Sequence, residues 1–129
     1  MIKSEVLLTS AVATSESVAI PIEDFDKAIF TVHTVGATTA TIKFVAGFKD
    51  APDFGSAASA TNDWHYIDTV DTDTGTAVNG STGYSLSGTG LSKAYQWNID
   101  GAKYVGVVIT AWTAGAITAD VLKLNHNFI

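Results

Sequence analysis

The sequence predicts an all-β fold: one antiparallel β-sandwich domain, jelly-roll-like, with about eight or nine strands. Three observations predict it. Thr, Val, Ile and aromatic residues fill short segments with period-two alternation. Gly, Pro, Asp and Ser clusters punctuate those segments at fairly even spacing, as in sandwiches and jelly rolls. No window carries the i, i+3, i+4, i+7 apolar spacing of an amphipathic helix over three turns.

The first strands are expected at residues 6–13 and 17–22, the latter closed by Pro21 and the acidic turn Glu23-Asp24-Phe25-Asp26. Residues 28–35 follow, with Ala28, Phe30 and Val32 alternating with Ile29, Thr31 and His33. Gly36-Ala37-Thr38 is expected to reverse the chain into residues 40–48, where Ile42, Phe44, Ala46 and Phe48 share one face and Lys43 takes the other. Residues 49–62, marked by Pro52, Gly55 and a Ser/Ala cluster, form the longest loop.

Residues 64–70 predict a strand with Trp64, Tyr66 and Asp68 on one face. A polar turn region occupies 71–83, a short strand 84–86 and a glycine-rich loop 87–90. Residues 95–99 alternate Tyr95, Trp97 and Ile99 with Gln96 and Asn98, and Asp100-Gly101 makes a tight turn. The clearest signal comes last: β-rich arms at 103–112 and 116–128, with Ala114-Gly115 between them, read as a hairpin. No internal repeat, linker or low-complexity tail divides the chain, so residues 1–129 are read as one domain.

Composition narrows the function classes. Hydrophobic residues at 47% with charged residues at 16% oppose general disorder. Cysteine is absent, which excludes thiol chemistry and disulfide staples, so packing or association must hold the fold. Net charge is -6, and all seven basic residues are Lys. Without the bidentate fork of Arg, an acidic domain is a poor reader of phosphate, so neither nucleic acid nor an anionic membrane is an expected partner. Glu5 interrupts what would be the apolar stretch of a secretory signal, and the longest apolar run, residues 104–109, is too short to span a bilayer. A soluble product of a cytoplasm is expected.

No catalytic constellation emerges. His33, His65 and His126 fall on separate segments, read as ordinary strand positions with no ligand-like His or carboxylate two to four residues away. Asp68, Asp71 and Asp73 before Gly75 suggest a calcium loop. Counted from Asp71, however, the sixth and twelfth positions hold Thr76 and Thr82 instead of the required Gly and Glu, which favours a solvated turn. Gly80, Gly83, Gly88 and Gly90 match no phosphate-binding fingerprint, and Ser81, Ser85 and Ser87 sit in no nucleophile elbow. No catalytic residue, metal ligand or cofactor is therefore assigned. The aromatics Trp64, Trp97, Trp112, Tyr66, Tyr84, Tyr95 and Tyr104 are shared between three readings: core, protein interface, and a platform for stacking sugars. Tyr95 and Trp97 share a face with Ile99 and point to core, whereas Trp112 beside the last turn is more open.

Several stretches resemble small β-sandwich structural proteins of tailed bacteriophages and prophages: Val6-Leu7-Leu8-Thr9-Ser10, Thr41-Ile42-Lys43-Phe44, Ala51-Pro52-Asp53-Phe54, Ser59-Ala60-Thr61-Asn62-Asp63-Trp64, and Gly101-Ala102-Lys103-Tyr104-Val105 through Thr113-Ala114-Gly115. The resemblance implies a non-enzymatic virion part, foremost a capsid decoration or cement protein that binds and stabilises the head, and alternatively a tail or baseplate accessory or carbohydrate-binding adhesion module. It implies association with itself, a trimer being favoured, and with a major capsid or tail protein; it carries over no catalytic residues. Ile2, Val6, Leu8, Phe54 and Trp112 are the expected contact residues.

Overall fold

The computed structural model describes residues 2–99 and 101–125, so Asp100 and the stretch holding His126 and Phe128 lie outside the described residues. Among the described residues there are ten strands and no helix. In chain order they are β1 (Ile2–Ala11), β2 (Ser15–Glu16), β3 (Ile20–Pro21), β4 (Lys27–Gly47), β5 (His65–Tyr66), β6 (Thr69–Asp71), β7 (Ala77–Val78), β8 (Tyr84–Thr89), β9 (Ser92–Asn98) and β10 (Tyr104–Leu124). Every pairing is antiparallel, and the main ladder runs β1-β10-β4-β9-β6-β7.

Two strands of 21 residues each, β4 and β10, form the spine and pair with one another along their whole length, from Tyr104 opposite Gly47 to Leu124 opposite Lys27. This corrects both expected hairpins. Neither 36–38 nor 114–115 returns the chain onto its own strand; the two segments face each other and form one corner in a continuous two-stranded ribbon.

Irregular pairing makes that corner. Thr39 pairs with Ala114 and Val35 with Ala116, so Gly36, Ala37 and Thr38 stand opposite Gly115 alone. Thr110 and Thr113 are the extra residues on the other strand, and the original register is restored beyond the bend. Gly36 and Gly115 adopt φ of 79° and 94°, the left-handed region glycine enters without a Cβ penalty. Gly115 is required for a second reason, because a Cβ there would collide with Thr38 Oγ1. The Trp112 indole closes the corner by donating from Nε1 to the Gly115 carbonyl at 2.8 Å.

The bend divides the sheet into two leaves. In the first, β9 and the early half of β4 join the late half of β10 and β1. In the second, the late half of β4 pairs with β5 and β8, and the early half of β10 pairs with β2 and β3. Alternation then builds the core: Ala28, Phe30 and Val32 from one leaf meet Ile42, Phe44 and Ala46 from the other, all buried. Phe44 also lies 5.3 Å from Tyr95, and Tyr95 lies 4.0 Å from Tyr84, ring centre to ring centre. Full burial of each such side chain contributes about 1.5–3 kcal/mol. The pattern expected for residues 28–35 and 40–46 is the pattern observed; Phe48, expected on the same face, is 37% exposed beyond the end of β4.

Candidate functional site

The five expected contact residues do not come together. Ile2 and Val6 stand on the outward face of the first leaf, 47% and 60% exposed. Leu8 turns inward at a bulge in β1 and is only 8% exposed, so it serves the core. Phe54 is 4% exposed and belongs to packing as well: its ring lies against Gly106 of β10, where a Cβ would overlap it. Trp112 is half-buried at the corner. The expected contact set thus reduces to Ile2 and Val6, with Trp112 held by its own corner.

Around Ile2 and Val6 the ladder places further apolar residues. Directly paired residues share a face, so Ile2, Leu124, Lys27 and Asn98 form one row, Ser4, Leu122, Ile29 and Gln96 the next, and Val6, Asp120, Thr31 and Ala94 the third. Ile29, Leu122 and Leu124 are half-buried. This face carries one buried polar atom, Asp120 Oδ1, with no hydrogen-bond partner among the described residues. The alternation of Ile29 and Thr31 with the core residues was the signal for this face, and reading only the inward partners left it unassigned.

A second feature lies on the outward face of the second leaf. Val45, on the side of β4 opposite Phe44, shares its row with Gly106 and Tyr66. The long loop 48–64 folds over this face and is held by one side chain. Asn62 donates from Nδ2 to the carbonyls of Asp53, Ser56 and Ala57 at 2.9, 3.3 and 3.2 Å, and its Oδ1 accepts from Asp53 N at 2.8 Å. Asp53 accepts in turn from Gly55 N and Ser56 Oγ, which hold its carboxyl below the ordinary carboxylate range. Trp64 Nε1 donates to the Ser56 carbonyl at 3.0 Å. Phe54, Trp64 and Tyr66 follow edge to face, at 6.1 and 5.3 Å, and the Lys43 ammonium sits 4.9 Å from the Tyr66 ring centre.

Two depressions adjoin this aromatic ladder and share Asp68. One, of about 510 Å³, runs between the loop at Ala57 and Ala58, the Trp64 and Tyr66 rings, and the turn at Asn79 and Ser81. The other, of about 300 Å³, is lined by Asp68, Val70, Gln96, Trp97, Asn98 and Lys27. It exists because β6 leaves β9 after Val70 pairs with Gln96, so nothing continues the ladder beside Trp97 and Asn98.

Several charged or titratable groups are engaged in separate contacts. His65 Nε2 lies 2.9 Å from Asp63 Oδ1, a carboxylate two residues before it and just ahead of β5. His33 Nδ1 lies 3.1 Å from Ser92 Oγ on the neighbouring strand. Asp71 and Asp73 receive the Lys93 ammonium at 3.2 and 3.3 Å, and Asp71 Oδ1 accepts from Asp73 N at 2.9 Å, so this turn already holds a cation of its own. Burial raises the Asp71 carboxyl, but these hydrogen bonds and Lys93 outweigh it and bring it below the usual value. Among the described residues no group of three or more His, Asp or Glu is arranged to hold a metal.

No protein-family profile matches the chain, and no curated protein matches it in sequence. Solved structures do match in fold. The SPBc2 prophage-derived protein YomS is 18% identical with a TM-score of 0.63, the match covering 95% of this chain and 92% of YomS. The PBSX exported protein XepA is 20% identical with a TM-score of 0.72, the match covering 95% of this chain but 37% of XepA. These likenesses establish a shared fold: an antiparallel, sandwich-like β-domain that recurs as nearly all of one prophage protein and as a part of another.

Proposed function

We propose that the protein is a non-enzymatic structural component of a bacteriophage particle, a capsid decoration protein that self-associates, a trimer being favoured, and binds the head surface. The outward face of the first leaf carries this reading. Ile2, Val6, Ile29, Leu122 and Leu124 lie in adjacent rows on one sheet face, an apolar cluster bordered by Ser4, Thr31, Gln96 and Asn98 with Lys27 and Asp120. This is the arrangement of an interface with an apolar centre and a polar rim. Two prophage proteins of the same fold support the phage setting. The ion pairs lie apart from one another, and His65, Asp71 and Asp73 are already engaged in them, which supports adhesion over catalysis.

Light scattering tests self-association: the expected mass is a multiple of 13.5 kDa, and Val6→Lys with Leu122→Lys should return it to a single chain. Sedimentation with purified bare heads, and separately with tails, tests the partner. The wild type should pellet with heads and the double variant should not. A monomer that pellets with neither overturns the proposal, and pelleting with tails alone moves the protein from head to tail.

A further inference from the structure

We infer that the two depressions sharing Asp68 form one groove that binds an uncharged oligosaccharide. This goes beyond a structural role: the groove meets the proposed interface only along one edge, where Gln96 shares a row with Ile29 and Leu122, and its ligand is of a different class.

Unspent hydrogen-bonding capacity is the first support. Asp68 Oδ1 accepts from Gly80 N at 2.7 Å, while its Oδ2 has no partner among the described residues. Gln96 and Asn98 line the same groove, and their amides make no side-chain hydrogen bond among the described residues. Side-chain amides and a carboxylate, each able to bridge two neighbouring hydroxyls, suit a ligand whose polar groups are closely spaced donors and acceptors.

Aromatic surface is the second. Trp64 and Tyr66, the latter 38% exposed, line one depression, and Trp97, partly buried against the core beside Ala28, borders the other. A pyranose offers an apolar C–H face to such rings while its hydroxyls point sideways to the polar rim. Charge is the third. The groove contains one acidic side chain, Asp68, one lysine, Lys27, and His65, which is already paired with Asp63. That balance favours neither a phosphorylated nor a strongly acidic ligand, for which clustered cations would be needed.

Shape and rigidity complete the case. The two depressions lie on either side of Asp68, a spread that suits a chain of sugars better than a compact cofactor. Its wall is set beforehand, since Asn62 and the Trp64–Ser56 bond fix the loop, so binding need not order it.

The test titrates the intact protein with a panel of neutral oligosaccharides (chitotetraose, cellotetraose, maltotetraose, xylotetraose and a galactan fragment), following the indole N–H signals by NMR. At least one should bind saturably and shift both Trp64 and Trp97 while Trp112 stays in place. Gln96→Ala and Asn98→Ala, at half-buried and exposed positions whose amides make no hydrogen bond among the described residues, should each weaken it roughly tenfold at unchanged thermal stability. Failure of the whole panel at millimolar concentration overturns the inference. So does binding that survives both substitutions, or saturation by a proline-rich peptide in place of every sugar. Particle attachment is measured separately, so either reading can fail alone.

Discussion

Phe30 and Phe44 stack with ring centres 4.4 Å apart although both belong to β4. Fourteen residues of straight strand would hold them about 46 Å apart. The contact is therefore a direct measure of the bend at 36–38, and the core exists only because one strand supplies both of its faces. The same bend leaves two outward faces, one carrying Ile2, Val6, Ile29, Leu122 and Leu124, the other covered by the aromatic loop.

The corner glycines should differ sharply in their tolerance. Gly36→Ala adds a methyl group into open space and meets only the left-handed backbone penalty, about 1 kcal/mol. Gly115→Ala meets that penalty and Thr38 as well, and should cost about 3 kcal/mol. Urea denaturation of the two variants checks this; equal losses would mean that the corner opens freely.

Asn62 should act as the clamp of the long loop. Asn62→Ala removes four hydrogen bonds to backbone, and should destabilise by about 2 kcal/mol, lowering Tm by roughly 5–10 °C. Limited proteolysis should then cut within 49–62 under conditions that leave the wild type whole. Unchanged protection would show that Phe54 on Gly106 suffices to hold the loop.

The fold class was legible because period-two burial runs along most of β4 and the late half of β10; Ala28, Phe30, Val32, Ile42, Phe44 and Ala46 declare the core without reference to partners. Pairing was not. Glycine with a small neighbour serves a hairpin turn and a bulged corner equally well, and only the opposing strand decides which. Gly115 was read as a reversal because Thr38, the residue that demands it, lies 77 positions away in sequence. The groove was hidden for the same reason: Asp68 and Gln96 meet only where β6 parts from β9, while Trp64 and Tyr66 were visible as a face but not as a wall.

Alkaline titration should find Tyr84 and Tyr95 reluctant to ionise. Burial is the chief cause for both phenols, and the nearby Asp71 carboxylate adds to it. Tyr84 also hydrogen-bonds Thr69, donating to its carbonyl and accepting from its hydroxyl, each at 2.9 Å. Both pKa values lie above the unfolded value near 10, so the stability they contribute is complete below pH 10 and falls as pH rises past it. Ultraviolet absorbance should therefore show the two phenolates appearing together with unfolding, and Tyr84→Phe should remove one of them. Smooth ionisation of both near pH 10 in the folded protein would contradict the stacked arrangement.

At the acid end Asp71 should matter. Its folded pKa lies below the unfolded value, so its contribution is present above about pH 3.9 and disappears as pH falls through the folded value. Lys93, raised first by its hydrogen bond to Asp71, contributes throughout the neutral range and loses its part only above the ordinary lysine range. Asp71→Asn should flatten the acid limb of the stability curve, and it should soften the alkaline limb as well, because Lys93, Tyr84 and Tyr95 lose the carboxylate that raises them. Denaturation at pH 3, 5 and 7 would show it, and parallel curves for wild type and variant would refute the role.

The buried lysine supplies the sharpest asymmetry. Lys123, on β10, is 4% exposed at its side chain and donates to Glu5 Oε2 at 2.7 Å and to the Pro21 carbonyl at 3.0 Å, with the Phe25 ring 5.0 Å away. Glu5 keeps 31% of its side chain in solvent. Removing the carboxylate strands an ammonium that water can scarcely reach, whereas removing the lysine leaves a carboxylate that water can solvate. Glu5→Ala should therefore cost about 3 kcal/mol and Lys123→Met about 1 kcal/mol or less. The double variant should recover most of the Glu5→Ala loss, because Met fills the channel without a charge. Urea denaturation at neutral pH measures all three, and equal losses for the two single variants would show that Lys123 reaches water by another path.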